Sequence, residues 1–355
     1  MSEFSGHRPQ LILPTAARRP VPVLPEWFLD RQNSTSDSGG ACVLLAESDG
    51  ENFEDLLAAW CLNLGRRCGV RAVVLDDQRD PGICARTLEG MFADGLRPDA
   101  AIGHFSSPVA RRAAQCYGAH EVPFFAPGSS ADDLAQGARA PVFQAFARDS
   151  GQIAVLCSAL RGAGQAVALG QPGNAGAGLL NALQAAQPCP LSGYSGIAGV
   201  PAGQVAGNPL VLLGSKEYAA EALAALSGQA LPSAVYLSDD SLNAVAVRRQ
   251  AARLGCPVFV AALHRPRQQA CLLGFSVDSI ERDAARLLGR QPGPYFLTAW
   301  MAVYLALRGL QRGCRTPAQM LHSLQGQSWQ TVYGPLIFDD CGRAEGFSWE
   351  LRRVA

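Results

Sequence analysis

Lysine is almost missing from this sequence: Lys216 is the only one among 355 residues, and arginine carries the remaining positive charge. No sign of charge is in excess. Lys+Arg and Asp+Glu are both 30, a formal net charge of +0, which argues against a basic nucleic-acid or anionic-membrane surface. No window reaches the roughly 18 apolar residues that a membrane-spanning helix needs. Metal-ribbon spacing is absent too. The 11 cysteines are odd in number and scattered, and no Cys-x-x-Cys occurs, which excludes a zinc ribbon and a dense disulfide framework. Several lie in apolar runs, such as Cys42 in ACVLLA and Cys157 in IAVLCSAL, where a free thiol behaves as a small hydrophobe. A signal peptide is not visible in residues 1–39, which offer Pro14, Pro20, Pro22, Pro25, the Arg18-Arg19 pair and the polar run NSTSDSGG. The expectation is a disordered or loosely attached tail over 1–39 and a cytoplasmic product, with a periplasmic one as the alternative had the true start lain upstream.

What is present points to a large core. Hydrophobic residues make up 48% and charged ones 17%, and the length suits two α/β lobes of roughly 150 residues each. Apolar runs alternate with amphipathic stretches. ACVLLA, VRAVVLDD, DAAIGHF and VPFFAPGSS read as strands, with helical patterns between them, such as Phe53, Leu56, Leu57, Trp60 and Leu64 on one stripe. The rhythm restarts after Phe143 with QAVALG, NPLVLLGS, SAVYLS and PVFVAAL as strands. A long helix over Tyr295–Gln311, a shorter one from Pro317 and a C-terminal hairpin through Asp339-Asp340-Cys341-Gly342 close the chain. This predicts an α/β fold of two doubly wound parallel-sheet lobes with an interlobe ligand cleft at the strand C-termini. The expected division is 40–150 with 275–328 for the first lobe and 151–274 with 329–355 for the second.

Several segments, in order, resemble the type I periplasmic solute-binding proteins, particularly branched-chain amino-acid receptors and the cytoplasmic amide sensors related to them. They are Asp76-Asp77-Gln78-Arg79-Asp80-Pro81, Gly103-His104-Phe105-Ser106-Ser107, Ala126-Pro127-Gly128-Ser129-Ser130 and Arg148-Asp149-Ser150-Gly151-Gln152. Gly176-Ala177-Gly178-Leu179, Thr298-Ala299-Trp300 and Thr331-Val332-Tyr333-Gly334-Pro335-Leu336 continue the series. No single motif is specific, and the resemblance rests on their order from about residue 40 onward. It implies the type I periplasmic binding protein fold and a receptor that closes on an amino acid, amide or similar small polar solute without catalysis. Ser107, Gly128 and Ser130 would then hold a solute carboxylate at strand-to-helix turns. Asp239 would accept from the solute amine, with Asp240 beside it. Lys216 stands where relatives often carry an aromatic residue after a glycine pair, and it could pair with Asp239 or with an anionic group of the solute.

The plainer reading makes Ser106, Ser107, Ser129 and Ser130 helix N-caps and Lys216 an exposed helix-start residue. Such receptors often carry a disulfide whose positions here hold Arg79 and Ser106, in keeping with a reducing compartment. GQPGNAGAG lacks phosphate-loop spacing, and His104, structural in the family, has no Ser-His-Asp partners. No catalytic residue, metal or cofactor is expected. The partner would be a regulatory protein or, alternatively, an ABC permease, with a homodimer left open; an α/β enzyme using the same cleft is the remaining alternative.

Overall fold

The structure, a computed structural model, describes residues 10–12, 24–33, 40–48, 50–64, 70–173, 175–201, 203–226, 231–266 and 270–354. Cys68, one of the 11 cysteines, and Asn174, the asparagine of GQPGNAGAG, lie outside the described residues. The elements of the first stretch are β1 (Gln10–Ile12), α1 (Glu26–Asn33), β2 (Ala41–Ala46), α2 (Glu51–Leu64), β3 (Val70–Leu75), α3 (Pro81–Ala93), β4 (Ala100–Gly103), α4 (Ser107–Ala119), β5 (Phe124–Ala126) and β6 (Val142–Gln144). The second stretch holds α5 (Asp149–Leu160), β7 (Ala166–Gly170), α6 (Ala175–Ala186), β8 (Leu191–Ser195), β9 (Pro209–Leu213), α7 (Lys216–Ala225), β10 (Ala234–Leu237), α8 (Val245–Ala251) and β11 (Val258–Leu263). The chain ends with β12 (Cys271–Leu272), β13 (Phe275–Ser276), α9 (Val277–Leu288), α10 (Phe296–Gln311), α11 (Pro317–Leu324), β14 (Trp329–Thr331), β15 (Gly334–Phe338), β16 (Ala344–Glu345) and β17 (Trp349–Arg353).

Two compact units result, one from residues 1–146 and 265–347, the other from 147–264 and 348–355. The first is built on a parallel sheet of order β1-β3-β2-β4-β5-β6. Its strands are apolar runs rather than alternations because helices cover both faces. On one side α3 and α4 bury Cys84, Leu88, Val109 and Tyr117. On the other, α10 packs against α2 and beneath β4 and β5, which explains why almost all its side chains are buried. The second unit has the order β17-β11-β10-β9-β7-β8, parallel except where β17 runs antiparallel to β11.

The boundaries differ from those expected. Residues 329–347 belong to the first unit, because Val142 and Gln144 at the open edge of β6 donate their N–H groups to the carbonyls of Cys341 and Gly342. Residues 265–274 join it as well, with Leu273 N–H donated to the Gln330 carbonyl and Arg265 paired to Glu281 at 3.0 Å. Residues 147–150, expected in the first lobe, begin the second unit. The C-terminal hairpin is β15–β16, and β17 lies in the other sheet. The expectation of a structureless tail is corrected for two segments. Gln10–Ile12 pairs with β3, and Glu26–Asn33 is a helix against α2 with Phe28 fully buried.

Candidate ligand-binding site

In the first unit the C-terminal ends of β2, β3, β4 and β5 carry the polar residues. Gly103, at the end of β4, has a positive φ, and a Cβ there would meet the Ala46 carbonyl oxygen at 1.8 Å. Only glycine permits that approach. His104 follows, also with positive φ, and is fully buried. Its Nδ1 lies 2.8 Å from Asp77 Oδ2 and its Nε2 2.9 Å from the Tyr117 hydroxyl, so its place is structural. Asp80 caps α3 by accepting from the N–H groups of Gly82 and Ile83, and Asp77 accepts from Arg79 N–H.

Glu47, which sequence reasoning passed over, sits at the end of β2. Its Oε2 accepts the backbone N–H of Phe105 at 2.7 Å. Burial and the neighbouring Asp77 push its pKa up to about 8, against the pull of Phe105 N–H and Arg79. Phe105 in turn shapes the next loop. Its ring lies edge-on to Tyr295 and occupies the space that a Cβ at residue 128 would need, at 2.2 Å. The bare Cα of Gly128 therefore makes room for Phe105; close backbone approach to a solute is not needed to explain this glycine.

Ser107 is the first residue of α4 and is buried; its Oγ accepts from the hydroxyl of buried Ser129 at 3.0 Å. Ser106 holds the N-cap position without a side-chain capping bond. The carbonyls of Ser129 and Ala131 both accept from Gln144 Nε2, at 3.0 and 3.1 Å, which fixes the loop carrying half-buried Ser130. Ser130 was expected to precede a helix. It precedes turns at 132–137 instead, so the N-cap reading fails for Ser129 and Ser130.

In the second unit the ends of β9 and β10 are stitched together. Ser238 Oγ donates to the Gly214 carbonyl at 2.8 Å and accepts Gly214 N–H at 3.1 Å. Ser215 caps α7 by accepting from Tyr218 N–H, and half-buried Lys216 opens that helix. The Lys216 backbone N–H donates to Asp240 Oδ2 at 2.9 Å, which ties the start of α7 to the turn after β10. Asp239 accepts from Gln152 Nε2 at 2.9 Å. Gln152 is fully buried, and its Oε1 finds no partner among the described residues. The structure thus groups Ser107, Gly128 and Ser130 on one unit's strand edge and Lys216 and Asp239 on the other's. Glu47, Gln144 and Gln152 are the additions. Gln152 stood inside a quoted motif, and Glu47 was marked only by being an acid directly after an unbroken buried strand. Among the described residues no group of three or more His, Cys, Asp or Glu side chains is placed to hold a metal.

No family model matches the chain, and no curated protein matches it. Solved structures do. LivJ of Streptococcus pneumoniae, a branched-chain amino-acid transporter substrate-binding protein in complex with isoleucine, superposes with a TM-score of 0.71 at 12% identity over 88% of this chain and 100% of that one. An ABC transporter substrate-binding protein of Desulfitobacterium hafniense in complex with leucine gives 0.69 at 19% identity, covering 88% and 97%. A solute-binding protein of Rhodopseudomonas palustris with 3,4-dihydroxybenzoic acid gives 0.66 at 12% identity, covering 90% and 98%. The chain has the type I periplasmic binding protein fold.

Proposed function

We propose that the protein is a non-enzymatic receptor for a small carboxylate-bearing solute, an amino acid or a related molecule. The observation that carries this is the start of α4. Ser107 lies in its first turn with a hydroxyl free to donate once Ser129 has donated to it, and Ser106 caps none of the first-turn N–H groups. A helix N-terminus of this kind favours an anion. The solutes in the three matched structures share a carboxylate, which supports that class. Ser107 and Ser130 would hold it, with Gly128 admitting the Phe105 ring that shapes the loop. Lys216 and Asp239 are proposed to act on the same solute, Asp239 accepting from its amine. The role we assign is a cytoplasmic sensor that reports to a regulatory protein; a transport receptor working with a permease is the second reading, favoured by the transporter proteins among the matches. Native mass spectrometry of purified protein, followed by calorimetry with leucine, isoleucine, 3,4-dihydroxybenzoate and acetamide, tests the solute class. Binding of a carboxylate-bearing solute supports it. Acetamide binding alone, or no binding of any, overturns it.

A further inference from the structure

In the second unit's sheet β7 lies between β8 and β9, so the connection from β8 to β9 has to pass over β7. Crossovers between parallel strands usually carry a helix, which fills the sheet face beneath it. Here the described residues of this connection, 196–201 and 203–208, form one 3-10 turn, Ile197–Gly199, and no α-helix. A cavity of about 410 Å³ remains under them. Leu169 of β7 and Leu212 of β9 form its floor, Ala222 of α7 one wall, and Ile197, Val200 and Val205 its roof. Among the described residues no lining side chain is polar.

Ile197, Val200 and Val205 pack on the same apolar cluster as Leu169, Leu212 and Ala222, and the segment that carries them is tied sideways to β8. Gln204 accepts from the Tyr194 hydroxyl, donates from Nε2 to Ser192 Oγ at 3.0 Å, and its carbonyl accepts from Asn208 Nδ2 at 2.9 Å. The space is therefore built into the fold, and its volume falls within the roughly 300–1,000 Å³ of small-molecule pockets. An ionised occupant would lose its hydration with no side chain to replace it.

We propose that this cavity binds a small neutral apolar molecule of about one or two rings. The site is separate from the strand edges discussed above, and it does not depend on the receptor reading. The test uses the full chain with labelled leucine and valine methyl groups, and toluene and indole as probes. Saturable shifts are expected at the methyls of Leu169, Leu212 and Val205. Ala222→Leu fills the cavity from the wall and Val205→Phe from the roof, and each should weaken toluene binding at least about tenfold. No saturable shift in the wild type, shifts confined to other methyls, or wild-type toluene affinity in either folded variant would overturn the proposal. If neither variant folds, the wild-type map decides alone. Failure here leaves solute binding measured by calorimetry unaffected, so the two readings fail independently.

Discussion

Glu47 Oε2 accepts the backbone N–H of Phe105 at 2.7 Å, which joins the end of β2 to the loop between β4 and α4 through a fully buried carboxyl group. The contact sets the height of Phe105, and through it the loop after β5. Its charge state is therefore felt across the proposed docking edge of the first unit.

The first prediction follows from the titration of Glu47. Burial and Asp77 raise its pKa from 4.5 to about 8, so the folded chain holds a proton that the unfolded chain releases. Stability from this group is fully present below about pH 4.5 and falls as pH rises through about 8. Asp55, raised from 3.8 to about 6, acts with the same sign but is exhausted above pH 6. Denaturant midpoints measured from pH 6 to 9 should therefore decline in the wild type and decline less in Glu47→Gln. An unchanged slope in the variant would remove Glu47 as the cause.

Gly128 is predicted to tolerate no side chain while Phe105 stands beside it. Gly128→Ala places a methyl 2.2 Å from the ring, so the ring must move, at a cost of about 1–3 kcal/mol. Phe105→Leu should relieve part of that cost in the double variant, although alone it leaves a gap against Tyr295. A double-mutant cycle by urea unfolding reads the coupling; strict additivity would show that the two residues do not compete for space.

How far the sequence reached is visible in these residues. Buried strands were legible because parallel strands covered on both faces are unbroken apolar runs, as in ACVLLA. The helices were legible from spacing and caps, such as Asp80 before Pro81. The unit boundary near residue 329 was not, since it is decided by hydrogen bonds from β6 to Cys341 and Gly342, nearly two hundred positions away. Glu47 and Gln144 were missed for a similar reason. Each acts on a backbone group of a distant loop, Phe105 or Ser129 and Ala131, and no local pattern marks such a partner. Ser130 was misread as a cap because a strand-to-helix rhythm was extended through 132–137, where the chain turns without forming a helix.

Within the first unit, Arg290 is predicted to be the counter-charge that Asp55 cannot lose. Asp55 is buried, its Oδ1 2.9 Å from Arg290 Nη1 and its Oδ2 accepting Gly293 N–H at 2.7 Å. Burial already raises its pKa to about 6 despite that pair. Arg290→Met leaves the carboxyl with a single donor, and breaking a buried pair costs about 3–5 kcal/mol at neutral pH. The loss should shrink as pH falls and Asp55 takes up a proton. Equal destabilisation at pH 4.5 and 7.5 in thermal melts would show that packing of the Arg290 stem, and not charge, was lost.

The thiols should react in order of exposure. No disulfide joins any two of the ten described cysteines; Cys271 and Cys341 are exposed, whereas Cys42, Cys61, Cys84, Cys116 and Cys314 are buried. Burial also raises the Cys42, Cys84 and Cys116 thiols, which slows attack by the thiolate. A maleimide of native protein followed by peptide mapping should label Cys271 and Cys341 first. Early labelling of Cys84 would mean that α3 opens locally, and protected pairs in denatured, unreduced protein would mean disulfides.

The last prediction addresses the proposed solute contacts. Ser130→Ala removes a half-buried hydroxyl without touching the Gln144 bonds that hold its loop, so folding should be retained while affinity falls. The expected loss is about 1–3 kcal/mol, the cost of leaving a charged group of the solute unpaired. Ser107→Ala should cost both affinity and stability, because Ser129 then loses its acceptor. On the second unit, Lys216 keeps its backbone bond to Asp240 whatever its side chain, so Lys216→Met and Lys216→Arg test charge with the helix start preserved. If the ammonium meets an anionic group of the solute, methionine should weaken binding several-fold more than arginine. Asp239→Asn retains an acceptor for Gln152 Nε2 but loses the charge that would pair with an amine. Calorimetry with the solute found by mass spectrometry reads all five variants. Wild-type affinity in both Ser130→Ala and Lys216→Met would place solute recognition on other residues.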